Sequence, residues 1–282
     1  MIKVHTSDGV GIVVHDWGGD GPPLLMAHAT GFHGRVFAPL AGYLSKGFHC
    51  WSFDERGHGD SDRAPGGNYR WDGFRRDVVA VIDGIGLNRP YGLGHSCGAT
   101  ALMLAEEQHP GTLAGLCCFE PIIWPETVPA PPNPDNELSV AARRRRGTFE
   151  SRQAAYDNYA SKAPLNVLDP EVLRIYLEYG FADQADGQVG LKCRPGDEAA
   201  IYENGPANGA YAALGDIAIP TRVMAGSLTE PNTAWMAEAA AVRLGQGPVE
   251  TIDGLGHFGP LQDPTRVAQS VLAAFSWNPS SP

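Results

Sequence analysis

The chain has 282 residues, of which 43% are hydrophobic and 19% charged, enough apolar material for a sizeable core and too much for a disordered chain. A formal net charge of −11 repels a polyanion, which argues against a nucleic-acid partner, and no run of about 18 apolar residues suggests a membrane-spanning helix. The five cysteines (Cys50, Cys97, Cys117, Cys118 and Cys193) are odd in number and form no C-x-x-C pair, so neither a disulfide framework nor a thiolate metal site is expected. With no apolar leader behind Met1, the expected location is the cytoplasm.

In chain order, Val10 to Trp17 reads as a strand entered through the Asp8-Gly9 turn, and Pro22 to His28 as a short apolar strand covered on both faces. Val36, Leu40, Tyr43 and Leu44 have helical spacing up to Gly47, and Phe48 to Phe53 is a third strand. Trp71, Phe74, Val78, Val81, Ile82 and Ile85 mark one helix face. A strand from Pro90 to Gly94 runs into a strong helix former from Ala99 to Glu107, followed by the strand Leu113 to Phe119. Six prolines between 121 and 135 then break the alternation. Helices without intervening strands are predicted at Leu138–Tyr159 and Asp169–Tyr179, the second with Asp169 as N-cap and Pro170 in its first turn. The alternation resumes with a strand at Ile219–Gly226, a helix at Ala234–Leu244, a strand at Val249–Ile252 and a helix at Thr265–Phe275. These elements predict an α/β fold: a mostly parallel, doubly wound sheet from residues 1–121 and 215–277, a helical cap inserted at 122–214, and a disordered tail at 278–282.

Gly94-His95-Ser96-Cys97-Gly98 is a G-x-S-x-G pentapeptide lying between an apolar strand and a helix. That setting suits a sharp turn that lifts a serine hydroxyl clear of the sheet, with the helix N-terminus aiming amides at the reacting centre. Taken with three further segments, this chain resembles the capped α/β-hydrolases, a group that holds esterases, lipases, haloperoxidases and epoxide hydrolases. His28-Ala29-Thr30-Gly31 resembles the family's oxyanion loop, with Ala29 where Gly is usual. Asp54 to Ser61 resembles its D-x-R-G-x-G-x-S turn, and Gly254-Leu255-Gly256-His257-Phe258 its histidine loop.

The resemblance implies Ser96 as nucleophile, His257 as its base, and an oxyanion hole built from the backbone amides of Thr30 and Cys97. Among nine histidines, His257 is chosen because it follows the last strand and precedes the last helix. His95 is expected to point away, and His28 and His58 to shape loops. The carboxylate that orients His257 has two candidates. Glu230, just past the strand ending at Gly226, is the first choice, although an insertion must be assumed to place it there. Glu120, twenty-four residues past Ser96 at the end of the preceding strand, is the alternative, matching the position that haloalkane dehalogenases use. The run Arg143 to Arg146 reads as a solvated helix face, or as a site recruiting an anionic substrate or lipid head group.

The implied reaction is hydrolysis of a carboxylic ester, lactone or thioester through an acyl-enzyme. C–C bond hydrolysis and a cofactor-free haloperoxidase activity on the same triad are alternatives, as is a non-catalytic ligand-binding protein of this fold. A serine at the elbow argues against an epoxide hydrolase or dehalogenase, which use Asp there. No cofactor or metal is expected, the partner is a small ester-like molecule, and a homodimer is left open.

Overall fold

The computed structural model describes residues 2–126 and 130–275. Eight strands form the central sheet in the order β1-β2-β4-β3-β5-β6-β10-β11. In chain order these are β1 (Ile2–His5), β2 (Gly11–Gly18), β3 (Pro23–Ala27), β4 (His49–Phe53), β5 (Tyr91–His95), β6 (Gly115–Phe119), then β10 (Thr221–Gly226) and β11 (Glu250–Ile252). A separate antiparallel sheet, ordered β7-β9-β8, is made by β7 (Thr148–Phe149), β8 (Phe181–Asp183) and β9 (Val189–Leu191). In the large sheet β1 and β2 pair antiparallel with each other, as do β2 and β4, and every other pair is parallel. The apolar runs behave as strands covered on both faces. Leu25 and Ala27 enter one core layer while Leu24 and Met26 enter the other. Cys117 and Cys118 separate across the sheet in the same way.

Helices cover both faces. α1 (Ala38–Leu44) lies on one face, and α2 (Trp71–Gly84) and α3 (Cys97–Gln108) on the other, where Trp71, Phe74, Val78, Val81 and Ile82 of α2 are all buried. α4 (Glu137–Arg144), α5 (Arg152–Ala160), α6 (Pro170–Gly180) and α7 (Pro195–Glu203) belong to the long segment between β6 and β10. α8 (Pro231–Leu244) returns to the face of α2 and α3, and α9 (Gly259–Gln262) leads into α10 (Pro264–Ala274) beside α1. Asp169 caps α6 as its position predicts, its side chain accepting from the amides of Glu171 and Val172. The predicted tail from Asn278 lies outside the described residues.

The segment between β6 and β10 departs from the sequence reading in two ways. It is not purely helical, because it holds the three-stranded sheet, and it also contains a helix, α7, that the spacing did not reveal. The continuous helix expected over Leu138–Tyr159 is also broken. Arg145 takes an extended conformation, Thr148 and Phe149 pair with β9, and Ser151 starts α5 by accepting from the Ala154 amide. Burial of Phe149, only 1% exposed, draws the chain out of helix, so tertiary packing overrides local propensity.

Candidate active site

Strand register assembles the site. His95 is aligned with Phe119, Phe119 with Met224, and Gly226 with Ile252, so β5, β6, β10 and β11 deliver their following residues to one edge. In an open parallel sheet the carboxyl edge of the strands is where loops converge on a crevice. Ser96 is the first residue past β5 and Glu120 the first past β6, and the Ser96 amide donates to the Phe119 carbonyl at 2.9 Å.

Ser96 occupies the N-cap position of α3 with φ 55° and ψ −115°, a left-handed value that non-glycine residues seldom adopt. The turn is so tight that a Cβ on Gly98 would come within 2.6 Å of the His28 carbonyl oxygen, and one on Gly94 within 2.5 Å of the Ala99 nitrogen. Both small residues of the pentapeptide are therefore required by close backbone approach. Among the described residues neither the Cys97 nor the Thr30 amide has a hydrogen-bond acceptor. Ala29, at the position where Gly is usual, is 3% exposed and packed in the core layer that includes Phe32 and Leu93.

The two candidate acids part company here. The Nδ1–H of His257 donates to Glu120 Oε2 at 2.6 Å, which fixes the tautomer and leaves the Nε2 lone pair to accept a proton. Glu120 is fully buried, and its other oxygen, Oε1, accepts from the Gly226 amide at 2.8 Å and from the Thr229 hydroxyl. Its backbone also has positive φ, 47°, so the chain bends sharply as it leaves β6. Glu230 is corrected as the first choice. It is exposed at the N-terminus of α8, and among the described residues its side chain makes no hydrogen bond or ion pair with His257. The loop after β10 instead supplies donors, Gly226 and Thr229, that hold the carboxylate from β6. No insertion is needed.

His95 does more than point away. Its Nε2–H donates to the His257 carbonyl at 2.7 Å, and the two rings lie 5.1 Å apart. Burial holds its pKa well below the usual histidine range, so it is a neutral tie between the elbow and the histidine loop. Neither this tie nor the Thr229 contact had a signal in the sequence, because each joins residues distant in the chain.

His28 and His58 shape the loops around the oxyanion segment. His28 Nδ1–H donates to the Ala29 carbonyl at 2.8 Å while its Nε2 accepts from the Glu55 amide at 3.0 Å. His58 Nδ1–H donates to the Arg56 carbonyl at 3.1 Å, and its Nε2 accepts from the Gly31 amide at 3.0 Å. With Glu55 these histidines bring one donor atom each within 4.8 Å of one another, a spacing that invites a metal. All four ring nitrogens are engaged with the backbone, however, so neither imidazole has a lone pair to offer. Burial drives the His28 pKa well below its usual value and that of His58 down to about 4, and it raises the Glu55 carboxyl well above the carboxylate range. The cluster is neutral.

The D-x-R-G turn is held by buried charge. Arg56, with a side chain 2% exposed, donates to both oxygens of Asp77 and also to Asp8. The arginine run splits: Arg143 pairs with Glu203, and Arg144 and Arg146 are exposed, whereas Arg145 turns inward to Glu198, Tyr159 and Tyr176. The four arginines are thus not a single solvated face. The five cysteines are buried and unpaired, and burial raises the Cys97 thiol well above its usual pKa, which opposes a thiolate role.

With this architecture, and a serine elbow at the same sheet edge as a histidine held by a buried glutamate, comparison with known proteins is decisive for the class. The alpha/beta hydrolase family model matches residues 24–270, and the chain belongs to that family. A 2-(acetamidomethylene)succinate hydrolase of Mesorhizobium japonicum is 26% identical over 246 residues, 85% of this chain and 83% of that protein. A non-heme chloroperoxidase of Streptomyces lividans is 32% identical over 139 residues, covering 48% of this chain and 49% of the relative. Matches to two other curated relatives likewise span only 42% and 49% of those proteins. Among solved structures, an E-2-(acetamidomethylene)succinate hydrolase superposes with a TM-score of 0.78 at 20% identity, covering 98% of this chain and 99% of that one. The esterase RhEst1 of Rhodococcus sp. ECU1013 superposes at 0.76 with 20% identity, covering 98% of each chain. These structural likenesses establish the fold. No helix among the described residues is long and apolar enough to cross a membrane.

Proposed function

We propose that this hydrolase cleaves a carboxylic ester, or a lactone or thioester, through an acyl-enzyme on Ser96. In this reading the Nε2 of His257 takes the Ser96 proton as the hydroxyl attacks the carbonyl, and later gives it to the leaving alcohol. The imidazolium formed in that step is stabilised by Glu120, whose remaining oxygen is already satisfied by Gly226 and Thr229, so no reorganisation is needed as charge develops. The tetrahedral oxyanion takes the unpaired amides of Thr30 and Cys97, an arrangement in which losing one donor costs on the order of 10²–10³ in rate. Water then repeats the sequence on the acyl-enzyme. The observation that carries this reading is the 2.6 Å His257–Glu120 contact at the sheet edge that also presents Ser96. It favours an enzyme over a ligand-binding protein of the same fold, because a binding site has no use for a buried carboxylate aimed at a histidine.

The test is labelling with a fluorophosphonate probe together with turnover of short-chain ethyl and p-nitrophenyl esters. Wild-type protein is expected to label and to turn esters over, and Ser96→Ala to do neither. Wild-type protein that never labels under conditions where it is folded overturns the serine mechanism.

A further inference from the structure

The segment between β6 and β10 places one half-buried cation beside the oxyanion loop. Arg145, the inward member of the arginine run, keeps about a fifth of its side chain exposed. Its Nη1 donates to both oxygens of Glu198, at 2.8 and 3.0 Å, and its Nη2 donates to the hydroxyls of Tyr176 at 2.5 Å and Tyr159 at 3.3 Å. The group sits beside the candidate oxyanion hole. A Cβ built on Gly31, the residue after Thr30, would lie 2.7 Å from Glu198 Oε1 and 3.5 Å from Arg145 Nη1. The Phe32 ring packs on Tyr176 at 5.2 Å and on Phe258 at 5.6 Å, linking the cluster to the residue after His257.

Its donor count is unbalanced. Both phenol oxygens accept from the guanidinium, which leaves each phenol proton to be donated elsewhere. Among the described residues those two protons and the Arg145 Nε–H have no acceptor. Burial pushes the Tyr176 phenol pKa up, so that proton stays in place at neutral pH. Three buried or half-buried donors at one guanidinium, unmatched by acceptors, suit an oxyanion, and the resident Glu198, both of whose oxygens accept from Nη1, shows that a carboxylate is accommodated beside it.

We infer that Arg145, with Tyr159 and Tyr176, binds a free carboxylate on the substrate, making this a hydrolase of half-esters of small dicarboxylic acids or similar anionic acyl compounds. The inference rests on the serine-hydrolase reading above. Arg145 and the tyrosines determine specificity and take no part in the bond cleavage. Glu198 holds the guanidinium in place and moderates its charge.

Monoethyl succinate and ethyl butyrate share a four-carbon acyl chain and differ in a terminal carboxylate, so their kcat/KM ratio reads the proposed contact directly. Wild-type protein is expected to favour the half-ester, and Arg145→Gln to reduce that preference about ten- to a hundredfold, mainly through KM. Glu198→Gln removes the competing carboxylate and is expected to increase the preference severalfold. Since Arg145→Gln can also loosen the surrounding segment, both variants are compared by thermal melting, and a destabilised Arg145→Gln leaves the decision to Glu198→Gln. Equal use of the two esters by wild-type protein, an unchanged ratio in a folded Arg145→Gln, or no gain in Glu198→Gln overturns the inference. Fluorophosphonate labelling with turnover of ethyl butyrate but no anion preference overturns this inference alone. Absence of both labelling and turnover defeats the serine mechanism itself.

Discussion

The loops that follow β6 and β10 each carry a glutamate near the sheet edge, Glu120 as the first residue past β6 and Glu230 as the fourth past β10, yet they end in opposite circumstances. Glu120 is enclosed, bent by a positive φ and supplied with three donors. Glu230 stands exposed at the start of α8, where its carbonyl accepts from Thr233 and Ala234 and its side chain does nothing for the helix cap. Nearness to the sheet edge along the chain does not by itself make a carboxylate a partner for the histidine. A carboxylate can orient a histidine only where its second oxygen is also satisfied, and here the loop after β10 spends its donors on the acid from β6.

That contrast can be broken most forcefully at the acids themselves. Glu120→Gln is expected to lower kcat on an ester by on the order of 10³–10⁴, because an amide cannot stabilise the imidazolium and can leave His257 in the wrong tautomer. Glu230→Gln is expected to stay within about twofold. Steady-state kinetics on the two variants checks both, and the reverse ranking would return the role to Glu230.

A smaller effect tests the support from β10. Thr229→Val removes the hydroxyl that donates to Glu120 Oε1 while keeping the side chain's shape, and is expected to cost about tenfold in kcat with KM little changed. If Thr229 merely packs, kcat does not move.

The smallest effect concerns stability and extends the comparison to the loop after β3. Burial holds His33 and His58 at about 4, below the 6.5 of an unfolded chain, and depresses His28 and His95 as well. At these four histidines the unfolded state binds more protons than the folded state below pH 6.5, so their contribution to stability falls as pH drops from 6.5 towards 4, whereas the carboxyls of Glu55, Asp77 and Glu107, raised by burial, contribute in the opposite sense. His33 and His58 each contribute a loss on the order of 2 kcal/mol by pH 4.5. Urea midpoints of wild-type protein and His58→Gln are compared from pH 7.5 to 4.5, and the wild type is expected to lose more stability over that range than the variant. Equal slopes contradict the neutral, loop-shaping role given to His58.

Much of the sheet domain was legible in the sequence because its signals are local. Apolar runs of five or six residues between Gly and Pro punctuation are too short for helices and suit covered strands, and the spacing from Trp71 to Ile82 suits an amphipathic helix. The antiparallel β1, Ile2–His5, carried no such signal, being exposed at three of its four residues. The inserted segment was read less well. A helix-forming stretch after Leu138 is interrupted so that Phe149 can enter the core, and β8 and β9, three residues each, are too short to show a period. The arginine run showed the same limit: four consecutive charges look alike until the chain leaves helix at Arg145 and turns that one inward.

From the sequence by itself came the doubly wound parallel sheet, the elbow around Ser96 and the choice of His257, since each depends on residues adjacent in the chain or on their order along it. Only the tertiary structure decided which glutamate meets His257, that Thr229 and His95 secure the pair, and that Arg145 lies beside the oxyanion loop. Those are contacts across more than a hundred residues for Glu120, Thr229 and His95, set by strand register and side-chain reach. No local pattern encodes a register, because it is the sum of packing over the whole sheet.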